Sequence, residues 1–407
     1  MEIKDYGITA PKGFFASHTA AGIKYPDRDD MAMIYSEAPC NIAGTFTSNK
    51  VKAAPVLWDK AMVEQRRKAS VVVVNAGIAN ACTGEEGMDY CRQTADACGK
   101  ALNIEPESVL VASTGVIGMQ LPIDRIRNGI EAMSGSLASD QDAANSAARA
   151  IMTTDTVPKE ASVTIELGGK TVTIGAMTKG SGMIHPNMCT MLCFITTDAV
   201  IAADILQEAL SESVKDTYNM ISVDGDTSTN DTCLMLANGM ADNAPVSHED
   251  GSFDIFEEAL KEVNLKLARM MAKDGEGATA LIEVSIEGAD NDHNARILAR
   301  SVVGSSLVKA MIFGHDANSG RILCALGYSG ADFDPEAVDV TISSANGSAM
   351  IMKDGRYADY SEEYATKILS SDEVNITCNM HQGSASAVAW GCDLTYDYVK
   401  INADYRS

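Results

Sequence analysis

The run Ser70 to Asn75 (SVVVVN) limits how this chain can fold more than any other feature. Consecutive β-branched side chains favour an extended strand. A strand without polar alternation must be covered on both faces. Small residues follow from Ala76 to Gly84, and apolar side chains then recur at helical spacing from Met88 to Leu102. This order of strand, turn and helix predicts a layered α/β fold, and a length of 407 residues predicts two domains or one large layered domain.

Other segments repeat these patterns. Val109 to Ala112 predicts a strand that ends in the glycine-containing turn Ser113 to Gly118 (STGVIG). Two apolar runs, Val163 to Leu167 and Thr171 to Ile174, flank Gly168-Gly169 and predict a hairpin. The apolar run Ala53 to Trp58 is interpreted as a further strand.

The last third of the chain has its own pattern. A long helix from Asn294 to Met311 is predicted, followed by strand-like runs at Val338 to Ile342, Ala349 to Met352, Val374 to Cys378 and Ala387 to Leu394. We therefore expect a core of residues 1–283 and a smaller C-terminal α/β domain of residues 284–407. The last residues, TYDYVKINADYRS, are not expected to form a disordered tail, so these apolar side chains are expected to be packed: Tyr396, Tyr398, Val399 and Ile401.

Composition excludes several classes of protein. The net charge of −24 argues against a nucleic-acid partner, because phosphate neutralisation needs clustered Lys and Arg. Ten Cys are scattered without a CxxC pair, which argues against structural zinc and redox motifs and favours free thiols in a reducing compartment. No apolar run approaches the roughly 20 residues that span a bilayer, and the first residues do not resemble a signal peptide. A cytoplasmic location and no membrane partner are expected.

The stretch Lys179 to Asp198 contains a threonine, Thr190, between a small residue and an apolar run. Taken alone, Thr190 is most simply a β-branched member of a half-buried strand. Its alternative role is that of a nucleophile, for which a threonine hydroxyl needs a nearby base.

Three further stretches each allow a functional and a plain structural interpretation. STGVIG could turn backbone N–H groups towards an anion or could be an ordinary turn after a strand. Glu276 lies between two glycines, which permit a close approach but are also common in loops. The polar stretch Ser222 to Asp231 (SVDGDTSTND) resembles a calcium loop, but its glycine comes too early and no glutamate closes it, which excludes an EF-hand.

Six stretches together resemble the ornithine acetyltransferase (glutamate N-acetyltransferase) family of arginine biosynthesis. In chain order they are NAGIANACTG, STGVIG, KGSGMIHPNMCTML, SVDGDTSTND, KDGEGAT and WGCDLTYDYVKINADYRS. The resemblance runs from the first strands to the last residue.

The resemblance implies a self-processing N-terminal-nucleophile enzyme with an αββα core. Cleavage of the Cys189–Thr190 bond would give an α chain of residues 1–189 and a β chain of residues 190–407, expected as an α2β2 heterotetramer. Cys189 departs from the alanine usual in the family, and Ser319 stands where the family tends to carry tryptophan. Processing is expected to survive the first departure, and the second is expected to leave a packing gap or alter a pocket wall.

The resemblance also implies the chemistry. Thr190 would take acetyl from N2-acetylornithine, release ornithine and pass the group to L-glutamate, with no cofactor or metal. Some members of the family also use acetyl-CoA as a substrate, and the sequence leaves that open here. Thr114 and Gly115 would stabilise the oxyanion, and family positions imply this list of substrate contacts: Thr153 (or its neighbour Thr154), Lys179, Thr190, Glu276, Asn402 and Ser407.

Two competing functions stay open at this stage. One is an aminopeptidase or amidase on a similar self-cleaving scaffold, in which water instead of glutamate would resolve the acyl-enzyme. The other is a non-catalytic binding protein that keeps the fold. Transfer of acetyl to glutamate distinguishes the first alternative, and failure to self-cleave would favour the second.

Overall fold

The computed structural model describes residues 2–185 and 191–404. Its strands, numbered in chain order, are β1 (Ile3–Lys4), β2 (Phe14–Thr19), β3 (Met31–Phe46), β4 (Ala69–Asn75), β5 (Val109–Ser113), β6 (Lys159–Leu167), β7 (Lys170–Lys179), β8 (Leu192–Thr197), β9 (Ile221–Ser222), β10 (Thr232–Ala237), β11 (Leu281–Ala289), β12 (Asp339–Ser344), β13 (Gly347–Lys353), β14 (Arg356–Tyr357), β15 (Glu373–Asn379) and β16 (Ala385–Cys392). Its α-helices are α1 (Ala54–Glu64), α2 (Glu85–Leu102), α3 (Ile123–Ser134), α4 (Gln141–Ala150), α5 (Ala203–Lys215), α6 (Ser252–Lys273), α7 (Asp292–Gly304), α8 (Ser306–Phe313), α9 (Ser319–Gly327), α10 (Glu362–Leu369) and α11 (Tyr396–Ala403).

The chain divides into two compact units. Among the described residues, the first unit comprises 2–180, 191–214 and 227–267, and the second comprises 181–185, 215–226 and 268–404. Each unit combines one sheet with helices, which confirms the predicted α/β class. The division differs from the one expected between residues 283 and 284, since it falls inside α6 and assigns two earlier segments to the second unit.

Nine strands form the sheet of the first unit, in the order β1-β6-β7-β8-β10-β3-β4-β5 with β2 paired to β3. All seven residues of β4 are buried. Val71 and Val73 join one apolar core, whereas Val72 and Val74 join another. The predicted covering of this strand on both faces is therefore confirmed. The predicted hairpin is also present, as the antiparallel pair β6 and β7.

The interpretation of Ala53 to Trp58 as a strand is wrong, because α1 begins at Ala54. Pro55 lies in the first turn, where its missing N–H costs no hydrogen bond. Val56, Asp59 and Met62 are buried at helical spacing, while Leu57 is 47% exposed. A short apolar run does not by itself distinguish a strand from a helix.

Asp59 places a buried carboxyl group on this helix. Its side chain is fully buried, and its Oδ1 accepts a hydrogen bond from the Val111 N–H at 2.9 Å. Oδ2 has no partner among the described residues. Burial raises the pKa of Asp59 well above its usual value. Above the ordinary carboxyl pKa of about 3.9, the unfolded chain releases this proton while the folded state keeps it. The free energy of unfolding therefore falls as pH rises above that value.

We expect Asp59→Asn to remove this pH dependence, because the amide keeps the acceptor for Val111 and cannot ionise. Between pH 5 and pH 7 the wild type should lose up to about 1.4 kcal/mol per pH unit relative to the variant. Urea unfolding at both pH values measures the difference. Glu64→Gln, an exposed carboxylate of the same helix, is the control. The prediction would be contradicted if the free energies of unfolding of wild type and variant differed by the same amount at both pH values.

Seven strands form the sheet of the second unit, in the order β14-β13-β12-β15-β11-β16-β9. The strands predicted in the last third are present as β12, β13, β15 and β16. The single helix predicted from Asn294 to Met311 is instead divided into α7 and α8. Ser305 separates them, since its backbone is extended and its side chain caps α8 by accepting from the Val308 N–H. Ser319 is buried at the start of α9.

The expected packing of the chain end is wrong for the described part. Tyr396 is 83% exposed and Val399 is 63% exposed, and α11 buries no residue. This helix is held by an edge-on contact of Tyr396 with Phe313, whose ring centroids lie 5.6 Å apart, and by polar contacts. The Thr395 hydroxyl donates to the Gly277 carbonyl at 2.7 Å and caps the helix. No helix of the described chain has both the length and the apolar character needed to cross a bilayer.

Candidate active site

The predicted nucleophile Thr190, its neighbour Cys189 and the C-terminal Ser407 lie outside the described residues. The predictions made for them stay predictions. The strand that follows is described: Leu192 opens β8 and pairs with Lys179 of β7 on one side and with Thr232 of β10 on the other. Lys179 is therefore held opposite a residue two positions after Thr190.

Lys179 is a buried cation. It is only 3% exposed, so the alternative of a solvated surface lysine is wrong. Its ammonium donates to the Thr153 hydroxyl at 2.8 Å and lies 3.4 Å from the Thr114 hydroxyl. Three side chains inferred from the family resemblance thus meet within the first unit. Thr153, the first of the two adjacent threonines inferred, makes the hydrogen bond with Lys179.

Asp155, which the sequence analysis missed, organises this group. Its carboxylate accepts from the Lys159 ammonium at 2.8 Å, from the Gly180 N–H at 2.6 Å and from the Thr153 N–H at 3.1 Å. The Lys179 ammonium lies 3.9 Å away. Burial alone would raise the pKa of Asp155, but the two lysines lower it to about 2. Two buried lysines thus lie around one buried carboxylate in an acidic protein.

The STGVIG turn is closed by backbone hydrogen bonds to the segment after β4. The Thr114 N–H donates to the Asn75 carbonyl at 3.0 Å and is therefore already occupied. The Gly115 N–H has no partner among the described residues. An oxyanion could be bound here by the Gly115 N–H together with the Thr114 hydroxyl, rather than by both backbone groups.

Gly115 is required by the turn. Its φ is +127°, and an added Cβ would overlap the carbonyl group of Gly77. We expect Gly115→Ala to displace the turn and lower acetyl transfer at least about 100-fold, the usual effect of losing one oxyanion donor. Gly118→Ala is a matched control, since Gly118 also has a positive φ of +85° but meets nothing within 4 Å. Equal activity of the two variants would contradict the prediction.

The second unit holds another group of inferred substrate contacts. The Asn402 side-chain amide donates to the Glu276 carboxylate at 2.7 Å, and the Glu276 N–H donates to the Ser181 carbonyl at 2.8 Å. The flanking glycines are needed for close approach: a Cβ at Gly277 would lie 2.6 Å from the Tyr398 nitrogen, and one at Gly275 would lie 2.5 Å from the Cys392 sulfur. Close packing at both neighbouring glycines therefore constrains the backbone around Glu276, unlike that of an ordinary loop.

Asp224 orders the segment that leads towards the predicted cleavage bond. Its carboxylate accepts from the Ile184 N–H at 2.9 Å and from the Met183 N–H at 2.5 Å. Burial raises the pKa of Asp224 above its usual value, although the backbone donors oppose this effect. The polar stretch Ser222 to Asp231, which does not match an EF-hand, thus supplies a carboxylate that accepts hydrogen bonds from two backbone N–H groups.

The sequence carried only weak signals for these carboxylates. Asp155 stands among three threonines in TTDTVPK, and Asp224 stands in a stretch of alternating carboxylates. Loops contain such residues often, and only the pairing of distant segments reveals what they bind. Within residues 2–185 and 191–404, no three His, Cys, Asp or Glu side chains form a group that could hold a metal ion.

Comparison with known proteins assigns the family. The model of the ArgJ family matches residues 15–407. The chain belongs to the ArgJ family. The family resemblance indicated by the sequence motifs is therefore confirmed.

Relatives of this ArgJ-family chain match along its whole length. The arginine biosynthesis bifunctional protein ArgJ 1 of Clostridium acetobutylicum is 52% identical over 405 residues, covering 100% of this chain and 98% of the relative. The arginine biosynthesis bifunctional protein ArgJ of Caldanaerobacter subterraneus is 49% identical over 407 residues, and the match covers 100% of both chains. The crystal structure of argJ from Bacillus halodurans is 47% identical, with a TM-score of 0.49, and covers 52% of this chain and 97% of that chain.

Proposed function

We propose that this chain transfers acetyl from N2-acetylornithine to L-glutamate through an acetyl ester on Thr190. The observation that carries the proposal is Lys179, a buried cation paired with the strand that begins two residues after Thr190. In a chain of net charge −24, such a centre suits a carboxylate-bearing substrate. Membership of the ArgJ family and the names of its arginine biosynthesis relatives support the same activity.

The acyl transfer would begin after self-cleavage. The new α-amine of Thr190, with an ordinary pKa of about 7.7–8.0, would take the hydroxyl proton as Oγ attacks the acetyl carbonyl. The Thr114 hydroxyl and the Gly115 N–H would donate to the oxyanion. Ornithine would leave with the proton, and the amine of glutamate would then attack the ester to give N-acetylglutamate. No cofactor takes part in this scheme.

Substrate binding would depend on charge. Lys179 would bind the α-carboxylate, with Thr153 holding the ammonium in position at 2.8 Å. Glu276 would attract the side-chain ammonium of ornithine, and Asn402, which donates to Glu276, would orient that carboxylate. Ser407 is the last of the proposed substrate contacts.

The wider setting also belongs to the proposal. The α and β chains would stay together as an α2β2 heterotetramer in the cytoplasm, where the nine free cysteines among the described residues are compatible with a reducing medium. The relatives are named bifunctional proteins, which supports a second activity, in which acetyl-CoA would supply the acetyl group for glutamate.

The test is an acetyl-transfer assay. Purified protein incubated with acetyl-labelled N2-acetylornithine and glutamate should form labelled N-acetylglutamate faster than it hydrolyses a dipeptide amide. Rapid hydrolysis without transfer to glutamate would contradict the proposal and favour the aminopeptidase alternative. A separate incubation with acetyl-CoA and glutamate, without acetylornithine, tests the second activity.

A further inference from the structure

Thr153 lies in a connecting segment, and contacts from distant residues hold it in place. Residues 151–158 join α4 to β6 and belong to no helix or strand. Each polar group of Thr153 nevertheless has a partner. Its hydroxyl accepts from the Lys179 ammonium at 2.8 Å, its N–H donates to the Asp155 carboxylate at 3.1 Å, and its carbonyl accepts from Arg28 at 3.2 Å. The last of these partners has no role in the site described above.

Arg28 reaches Thr153 from the loop between β2 and β3. Its guanidinium donates through Nη1 to the Thr153 carbonyl and through Nη2 to the Met152 carbonyl, the latter at 2.5 Å. A guanidinium suits two neighbouring acceptors, because its N–H groups form a rigid planar fork. Arg28 therefore fixes two consecutive peptide groups of a segment that lacks regular structure.

The loop that carries Arg28 is itself anchored to the sheet. The Asp30 carboxylate accepts from the Ala21 N–H at 2.8 Å and from the Ile23 N–H at 2.5 Å. The Asp30 carbonyl accepts from the N–H of Ala76, the residue that follows β4, at 2.8 Å. Arg28 stands only two residues before this anchor. Its backbone is therefore held relative to the sheet, and the guanidinium acts from a fixed base.

The charge of Arg28 is not neutralised by an ion pair. Within residues 2–185 and 191–404, no carboxylate forms an ion pair with its guanidinium, and the adjacent Asp29 pairs with His18 at 2.8 Å. Arg28 is half-buried, and both of its acceptors are uncharged carbonyls. Hydrogen bonds from a charged donor are roughly twice as strong as those between neutral groups. These two contacts can therefore hold the segment although water reaches part of the side chain.

We propose that Arg28 is a positioning residue for the binding of substrate carboxylates. Asp155 holds the N–H of Thr153 and Arg28 holds its carbonyl, so both peptide groups and the direction of the side chain are fixed. The Thr153 hydroxyl is thereby kept where it accepts from Lys179. This inference rests on the proposed function, in which the Lys179 ammonium binds the α-carboxylate of the substrate. Arg28 acts through Thr153 and does not touch the substrate.

The experiment measures steady-state acetyl transfer by Arg28→Met, which keeps the length of the side chain and removes its donors. N2-acetylornithine and glutamate share the α-carboxylate that Lys179 would bind. The variant should therefore raise KM for both substrates by about 10-fold and leave kcat within about 2-fold of wild type. Calorimetry with L-ornithine, which involves no chemical step, should show a similar loss of affinity. Arg28→Lys should recover part of the loss, because an ammonium can still donate to one carbonyl.

A double variant tests whether Arg28 acts through Thr153. Thr153→Val removes the hydroxyl and keeps the branched shape of the side chain. In that background Arg28→Met should change KM by less than about 2-fold, because residues that act through one contact do not give additive effects. A further increase of about 10-fold would overturn the inference, since Arg28 would then act by another route.

Arg125 offers a matched control on the same loop. It is an exposed arginine of α3, and its guanidinium donates to the Gly22 carbonyl. Arg125→Met should leave both KM values within about 2-fold of wild type, because the contacts of Thr153 stay in place. Arg28→Met should melt at the same temperature as this control. An equal rise of KM in both variants would overturn the inference, because any disturbance of the loop would then suffice.

The outcomes distinguish this inference from the proposed function. A wild type that transfers acetyl, together with an Arg28→Met variant of unchanged KM, would overturn the inference alone. A fall in kcat and in melting temperature that accompanies the rise in KM would also overturn it, because the role would then be structural. A wild type that does not transfer acetyl to glutamate would overturn the proposed function, and the inference with it.

Discussion

Thr190→Ala should remain a single uncleaved chain and lose acetyl transfer by a factor of at least about 1,000. Loss of a nucleophile removes the covalent route, and the remaining binding groups supply only a small part of the rate. Chain cleavage and acetyl transfer should both be lost, because the same hydroxyl is proposed to cut the chain and to carry the acetyl group. Denaturing electrophoresis and the transfer assay measure the two losses.

Thr190→Ser is the matched control for this variant. It keeps a hydroxyl and, after cleavage, an α-amine, so it should still divide into two chains and transfer acetyl at a reduced rate. A wild-type chain that stays intact yet transfers acetyl at full rate would overturn the role of Thr190. So would cleavage of the alanine variant near residue 190.

Asp155→Asn should lower the free energy of unfolding by about 3–5 kcal/mol, since it leaves buried cations without their carboxylate. Lys159 lies 2.8 Å from this carboxylate and Lys179 lies 3.9 Å away, and neither lysine is more than 3% exposed. The variant should also lower kcat/KM for acetylornithine, because Thr153 and Lys179 lose their common partner. Urea unfolding and steady-state kinetics measure the two effects.

Lys159 offers an internal control for the charge argument. Lys159→Met leaves Asp155 paired with Lys179, so it should be less destabilising than Asp155→Asn. In the double variant, removal of Lys159 should recover part of the stability that Asp155→Asn loses. Equal and additive losses from both substitutions would contradict the charge argument, because residues in contact should couple.

The stability that comes from Asp155 should depend on pH in the acid range. The two lysines hold its folded-state pKa at about 2, below the ordinary value of about 3.9. A lowered pKa contributes stability above the unfolded value, and that contribution is lost as pH falls through the folded value. Acid unfolding between pH 4 and pH 2 should therefore be less steep in Asp155→Asn than in wild type.

Local patterns in the sequence predicted much of the fold. The valine run of β4 and the Gly168-Gly169 hairpin depend on side-chain alternation and turn chemistry, which act over a few residues. The same short range explains the failure at Ala53 to Trp58, where an apolar run fits both a strand and the first turns of α1. At the chain end, the apolar side chains suggested burial, whereas α11 buries no residue and is held by a polar cap and one edge-on ring contact.

The candidate site could be predicted only in part, for a different reason. Motif resemblance identified four of the site residues: Thr114, Gly115, Thr153 and Lys179. It did not show that the Thr114 N–H is already hydrogen-bonded or that Lys179 is buried. Asp155 and Asp231 carried only a weak signal in the sequence, because a carboxylate in a loop is ordinary until its surroundings are known.

The sequence by itself determined the strand of valines, the glycine turns, the acidic charge and the family of this protein. The tertiary structure alone decided which carboxylates meet buried partners. β7, β8 and β10 bring Lys179, Met191 and Asp231 together although 40 residues separate the last two. Burial and charge are properties of such long-range pairing, because desolvation depends on everything that surrounds a group.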